Sequence, residues 1–391
     1  MKVTPLTPLK AFAAGLGTLC LVTACSSNDT NPSGSSNRPG TGGNPNTTGS
    51  SNYGGNSSTG GHTTGASSVG GNSSSGGSSQ AGVTPPSCKT SGVGTSDCGA
   101  SHESCCASNR VPGGTFFRTY TNDGTGVKDQ DDEATLSDFR LDKYLVTLGR
   151  YRQFVAAWNH GSGYTPAAGS GKHTHLNNGK GLADSGNPGS YELGWVTGDA
   201  ANLQLTSDNL ACDSAYSVWT DTPGSHENLP MNCVNWWEAY AFCIWDGGFL
   251  PSEAEYKYAA AGGSEQRRYP WGANDAGLNA EYAICNCNYP DASGSCTGIA
   301  NMAPVGTAKL GAGRWGHLDL VGDVTEWNLD WFSPSYVNPC TDCAYVADGS
   351  GKVIRDGYFS SADGTLQVPY RNSLYPTNRF YSFGFRCART P

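Results

Sequence analysis

Asp319 and Glu326 stand in the run Leu318-Asp-Leu-Val-Gly-Asp-Val-Thr-Glu-Trp327, between apolar residues. Carboxylates are hard oxygen donors, and backbone carbonyls beside them complete the oxygen shell that calcium takes. Gly322 lets the backbone turn there. Two readings stand at this level: a tight turn carrying solvated acids, or an ion site. Three other stretches invite chemistry. His173-Thr-His175 would share a face only on a strand. No acid accompanies the two histidines at metal-motif spacing, so a solvated loop is expected. Ala168-Gly-Ser-Gly-Lys-His-Thr hints at a phosphate loop, but Pro166 replaces the required glycine and His173 the required Ser or Thr. Glu253 and Glu255 could form an acid–base pair. They follow Ser252 at the start of a helix, so helix-dipole complementarity is the expected role.

The elements that must position these residues are legible in part. Thr147 is the N-cap of a helix with Tyr151, Phe154, Val155 and Trp158 at helical spacing. Asn235 caps a second helix, with Glu238 at N3 of a capping box and Ala239, Phe242 and Cys243 on the buried face. Ser252 caps a third, which Gly262 and Gly263 stop. Val111-Pro-Gly-Gly-Thr-Phe-Phe is a turn into a strand, and Phe139 to Tyr144 is a second strand. Residues 160 to about 225 are mostly loop, and Tyr269-Pro-Trp-Gly272 is an aromatic turn.

The 391 residues include Gly 54, Pro 21 and Cys 15, with a net charge of −9. That charge argues against nucleic acid as a partner, because phosphate binding needs clustered Lys and Arg. The cysteine content suits an oxidising compartment. Lys2 and Lys10 flank a short positive region, and the apolar run that follows, Ala11 to Ala24, is too short to span a bilayer as a mature helix. It ends in Leu21-Val-Thr-Ala-Cys25, which resembles a bacterial lipobox. Residues 1–25 therefore read as a lipoprotein signal peptide with Cys25 lipidated; an ordinary signal peptide cut nearby is the alternative. Ser26 favours the outer membrane of a bacterial cell envelope, with the membrane engaged through the N-terminal lipid. Residues 26–87 are a Ser/Gly/Asn/Thr tether that cannot bury enough apolar surface to order itself. Its typical end-to-end distance is roughly 40 Å. Residues 88–110 form a cysteine-rich collar. Cys88, Cys98, Cys105 and Cys106 read as disulfides of open connectivity, since the gaps are irregular for zinc. With Cys20 and Cys25 set aside an odd number of cysteines is left, so at least one thiol is free or pairs with another chain.

Over residues 111–391 a set of motifs occurs in order: Leu141-Asp-Lys-Tyr-Leu-Val-Thr, Val234-Asn-Trp-Trp-Glu-Ala-Tyr-Ala-Phe-Cys-Ile-Trp, Leu250-Pro-Ser-Glu-Ala-Glu-Tyr, Tyr269-Pro-Trp-Gly, Pro304-Val-Gly, Leu318 to Trp327, and Phe383-Gly-Phe-Arg-Cys387. Together they resemble the formylglycine-generating enzyme, or sulfatase-modifying factor, family. The resemblance implies an α+β class: an irregular, loop-rich fold related to C-type lectin-like folds. It implies a structural calcium ion held by the side chains of Asp319 and Glu326 and the carbonyls of Gly322 and Val324. The family more often has Asn at the position of Asp319. A second calcium site would fall between Cys285 and Ile299, where extra cysteines interrupt the pattern. The resemblance also implies a Cys243–Cys387 disulfide; the family's other disulfide positions match Ala260 and about Asn372.

Active members carry two cysteines that bind copper(I), an ion suited to soft thiolates. Ser361 and about Leu366 occupy those positions here, and Tyr358 that of an active-site serine. No cysteine lies between Phe359 and Phe385. Copper is therefore not expected and no catalytic residue is assigned. Cys340 and Cys343 lie upstream and suit a local disulfide. The favoured function is a calcium-stabilised binding or scaffold domain for a peptide, protein or glycan, in a cleft lined by Tyr358, Tyr370 and Tyr375. The alternatives are a formylglycine-generating oxidase, or another oxidoreductase of the family acting on a peptide or small molecule. An iron version needs histidines from an added helical domain, which the region before Val111 does not supply.

Overall fold

The computed structural model describes residues 84–391. The stretch read as a signal peptide, Cys25 and most of the stretch read as a tether lie outside them. Among the described residues no helix is long and apolar enough to cross a membrane.

The chain runs through β1 (Ser108–Val111), β2 (Gly114–Asn122), β3 (Val127–Leu136), β4 (Phe139–Asp142), α1 (Leu148–Trp158), β5 (Ala183–Asp184), α2 (Ser207–Leu210), α3 (Trp236–Trp245) and α4 (Glu253–Ala261). It continues with β6 (Thr325–Trp331), β7 (Cys340–Thr341), β8 (Cys343–Ala344), β9 (Lys352–Arg355), β10 (Arg371–Leu374), β11 (Phe383–Gly384) and β12 (Ala388–Arg389). The sheets are small and mixed: β1-β4-β12, β10-β9-β6-β11, β2-β3-β7 and β5-β8. This is the irregular α+β architecture expected from the motifs.

Local signals place the helices. The Thr147 hydroxyl accepts the Arg150 N–H, and Asn235 and Ser252 each complete a capping box with the acid at N3. Gly262 ends α4 in the left-handed region at φ 68°. α1 and α3 meet through stacked and edge-on rings: Tyr151 stacks on Phe242 at 5.6 Å, and Phe154 meets it edge-on at 5.7 Å. Such pairs add to the area they bury. The Cys243–Cys387 disulfide joins α3 to the C-terminal strands.

The collar is part of this body. Cys88–Cys106 and Cys98–Cys105 are disulfides. Ser87, read as the end of the tether, is fully buried. Its N–H donates to Asp246 at 3.0 Å, and Arg150 donates to its hydroxyl at 3.0 Å. Arg150 and Arg389 share Asp142 and Asp246 in a closed cluster of two cations and two carboxylates. The domain start read at Val111 falls inside β1, and that strand pairs with β4.

Two expectations are corrected. His173 is not in a solvated loop; it is fully buried. Its Nδ1 lies 3.0 Å from Glu192 and its Nε2 3.1 Å from Glu255. Burial opposes its charge, but the two glutamates outweigh burial and raise it to about 10. Nor are Glu253 and Glu255 merely complements to a helix end. Glu255 caps α4 and holds His173, while Glu253 pairs with Arg355 and Arg371.

Candidate functional site

The segment 318–327 is almost wholly buried and is tied down by one arginine. Arg386, fully buried, donates from Nε to both oxygens of Glu326 at 3.0 and 2.9 Å. Its other nitrogens reach the carbonyls of Leu318, at 2.9 Å, and Asp319. The Tyr256 hydroxyl completes the set, bonding Glu326 at 2.8 Å and the Leu320 carbonyl at 2.6 Å. A planar fork of donors suits this bidentate arrangement in a dry core. Trp327 anchors the far end through its indole N–H to the Val234 carbonyl, 3.1 Å. Gly322 sits at φ 85°, and a Cβ there would meet the Ile284 carbonyl oxygen at 2.6 Å, so only glycine fits.

The calcium set implied by the motifs was Asp319, Gly322, Val324 and Glu326. In this arrangement Glu326 is committed to Arg386 and Tyr256, and the Gly322 carbonyl accepts the Val324 N–H at 2.8 Å. No group of three or more His, Cys, Asp or Glu side chains among the described residues is arranged to hold a metal ion. Asp319 is different. It has only the Gly306 N–H, at 2.6 Å, and burial pushes its carboxyl up to about 6. Asp323, also buried, accepts one N–H from Ala303 and leaves its second oxygen without a partner. Burial, and then Asp319, hold it well above the usual carboxylate range. Among the described residues Asp319 and Asp323 are thus buried carboxylates without a cation at salt-bridge distance, while Glu326 as it is now held is committed to Arg386.

The same segment positions the region of the family's reaction centre. Gly322 N–H donates to the Gly357 carbonyl at 3.2 Å, and Phe359 N–H to the Asp323 carbonyl at 3.0 Å. The Thr325 hydroxyl reaches the Asp356 carbonyl at 3.0 Å. From the other side Cys287 and Asn286 donate to the carbonyls of Phe359 and Ser361, at 2.7 and 3.0 Å. A short loop, 357–366, is thus held on both edges by backbone bonds.

What the loop presents is not a pair of thiols. The Ser361 hydroxyl accepts the Tyr358 N–H at 2.9 Å, closing a turn. Leu366 is fully buried with Tyr269, Ala276, Ala283, Cys285 and Val321. Among the described residues twelve cysteines form disulfides, Cys340–Cys343 among them, and Cys285 alone is free. Burial pushes the Cys285 thiol up to about 12, so it is protonated and inert at neutral pH.

Tyr358 packs within a cluster of rings. It meets Phe359 edge-on at 5.4 Å and Tyr381 at 6.4 Å. Tyr216 stacks on Tyr381 at 4.6 Å and on Phe359 at 5.5 Å. Tyr370 has Asn372 as its hydrogen-bond partner, and Tyr375 is exposed. Tyr216 and Tyr381 went unnoticed in the sequence. Tyr216 lies in the long loop without any periodic signal; Tyr381 lies just before the Phe383-Gly-Phe-Arg-Cys motif, and that proximity was the available clue. Half-buried tyrosines of this kind offer ring faces and hydroxyls to a ligand.

Comparison with known proteins agrees with this geometry. The model of the Sulfatase-modifying factor enzyme 1-like domain matches residues 97–391. A formylglycine-generating enzyme of Streptomyces coelicolor is 31% identical over 294 residues, covering 71% of this chain and 88% of that protein. The "Inactive C-alpha-formylglycine-generating enzyme 2" of Mus musculus is 30% identical over 294 residues, covering 71% and 84%. Among solved structures, PvdO from Pseudomonas aeruginosa aligns with a TM-score of 0.47 at 19% identity, covering 79% of this chain and all of that one. On the ordered motifs and the extent of the match, this chain belongs to the sulfatase-modifying factor enzyme 1-like domain family.

Proposed function

We propose that this chain is a lipid-anchored protein of the bacterial cell envelope whose family domain binds or scaffolds a partner and does not carry out copper-dependent oxidation. One observation carries the reading. The positions that the resemblance gives to the family's copper-binding thiols are Ser361 and about Leu366, which is buried, and among the described residues the one free cysteine, Cys285, has no second thiol to join it. A hydroxyl and a hydrocarbon cannot replace two thiolates at copper(I). Identity alone does not decide, since relatives named as active and inactive match almost equally. The partner is a peptide, protein or glycan, and the rings of Tyr216, Tyr358 and Tyr381 are the surface that would receive it.

The test is direct. The purified domain is incubated with copper(I), oxygen and a peptide bearing a sulfatase-type cysteine motif, and the product is read by mass spectrometry. The peptide is expected unchanged; an aldehyde product overturns the reading. Anchoring is tested separately with an alkynyl fatty acid, which should label the wild type and not Cys25→Ala.

The reading includes a structural calcium ion at Asp319, with the Gly322 and Val324 carbonyls and Glu326 as the further donors implied by the family. Buried Asp319 and Asp323 carboxylates without a salt bridge support it; the hold of Arg386 on Glu326 means that Glu326 would have to be shared. Asp319 is largely ionised at pH 7 and protonated at pH 5. Calcium should therefore raise Tm more at pH 7 than at pH 5. Equal Tm values in calcium and in chelator at pH 7 would remove the ion from the proposal.

A further inference from the structure

A cleft of about 250 Å³ opens between β2, α4 and the loops before β7 and β10. Arg118, Thr119, Asp132, Lys257, Tyr336 and Arg371 line it, with the Arg118 guanidinium 4.7 Å over the Tyr336 ring. No residue of the 357–366 loop lines it. Arg118 is 4% exposed and Lys257 1%. Neither has a carboxylate at salt-bridge distance among the described residues. Arg118 donates to the carbonyls of Asp132 and Val337, at 3.2 and 3.1 Å, and to the Asn338 side chain at 2.6 Å. The Lys257 ammonium reaches the Arg118 carbonyl and, at 3.3 Å, the Tyr336 hydroxyl. It lies over the rings of Tyr120 and Tyr336.

The nearby acids are already taken. Glu253 is shared by Arg371 and Arg355. The Asp132 carboxylate is held by the Thr119 hydroxyl and the Asn338 amide. Asp330 and Asp356, both buried, are pushed up to about 7 by desolvation, so neither is a full countercharge at neutral pH. Burial, with Arg355 adding to it, likewise pushes the Lys257 ammonium well below its ordinary value, so the firm charges here are the guanidiniums of Arg118, Arg355 and Arg371, and of these only Arg118 has no carboxylate at salt-bridge distance among the described residues. The Arg150–Arg389 cluster, by contrast, balances two against two. A buried cation without a countercharge is costly unless something supplies one. The opening beside these cations is wide enough for that group to come from solution. Guanidinium forks and an ammonium are the donors that recognise tetrahedral oxyanions.

We propose that this cleft is a binding site for an oxyanion of the phosphate or sulfate class, held by Arg118, Lys257 and Arg371. The anion is either a free ion or a monoester group on a larger molecule.

Isothermal titration calorimetry of the full chain, at constant ionic strength in chloride, tests it with inorganic phosphate and with phenyl phosphate. Arg118→Met and Lys257→Met remove charge and keep length. Saturable binding of either probe that falls at least tenfold in both variants supports the site. Phosphate alone identifies a free-ion site, and tighter binding of phenyl phosphate identifies an ester site. No saturable binding of either probe, or equal affinity in both variants, overturns it. Should a variant fold poorly, wild-type crystals soaked in tungstate give an independent readout. Density between Arg118, Lys257 and Arg371 supports the proposal; tungstate bound elsewhere with this cleft empty overturns it.

Discussion

Around Glu326 one guanidinium fills both carboxylate oxygens and two carbonyls, while at Leu366 the chain fills the core with hydrocarbon. The two places are hydrogen-bonded neighbours, since 322–325 carries 356–359. The first holds shape through charge that has no freedom to react. The second is where the motif resemblance places the family's chemistry, and here the two aligned positions hold a serine in a turn and a buried leucine. On the proposed reading, the difference teaches that a family's scaffold can be kept intact while the reacting groups are replaced, because different residues carry the two tasks.

That contrast can be broken most sharply at Arg386. Arg386→Met should leave Glu326 buried without its partner and cost about 3–5 kcal/mol, read by urea unfolding. A loss under 1 kcal/mol would mean that the arginine does not organise the segment. A second ion-paired support lies at α4. His173 has its folded pKa raised to about 10 against an unfolded value of about 6.5. Its stabilisation is fully present below pH 6.5 and is lost as pH rises through 10. Tm should fall across that window, and His173→Gln should flatten the fall; an unchanged slope in the variant would remove His173 as the cause. At the loop, Leu366→Ala should cost about 2–4 kcal/mol through the cavity it leaves. It should do so without changing calcium response, which separates packing from the ion. Ser361→Ala should cost least, about 0.5–1.5 kcal/mol for one hydrogen bond. A loss as large as at Arg386 would show that the loop, too, is a support.

The three helices with their caps were legible because capping and helical spacing are local. Thr147, Asn235 and Ser252 each act within a few residues of themselves. β3 was not legible. Val127–Leu136 is half charged and buries only Ala134 and Leu136, so no alternation marks it as a strand. The hairpin register with β2 makes it one. His173 was misread for a related reason: its acids are 19 and 82 residues away, beyond any motif spacing. Tyr216 meets Tyr381 only because the long loop folds back across the domain.

By itself the sequence determined the family, the local helix ends, the loss of the thiol pair and the Cys243–Cys387 partnership that the family implies. These are matters of residue identity at aligned positions, or of interactions within one turn. Tertiary structure alone decided that Glu326 belongs to Arg386, that Leu366 is buried beneath the 357–366 loop, and that Arg118 and Lys257 line the same cleft with no carboxylate at salt-bridge distance among the described residues. Those outcomes depend on which distant groups share a low-dielectric space, and charge pairing there is set by proximity in the fold and not by order along the chain.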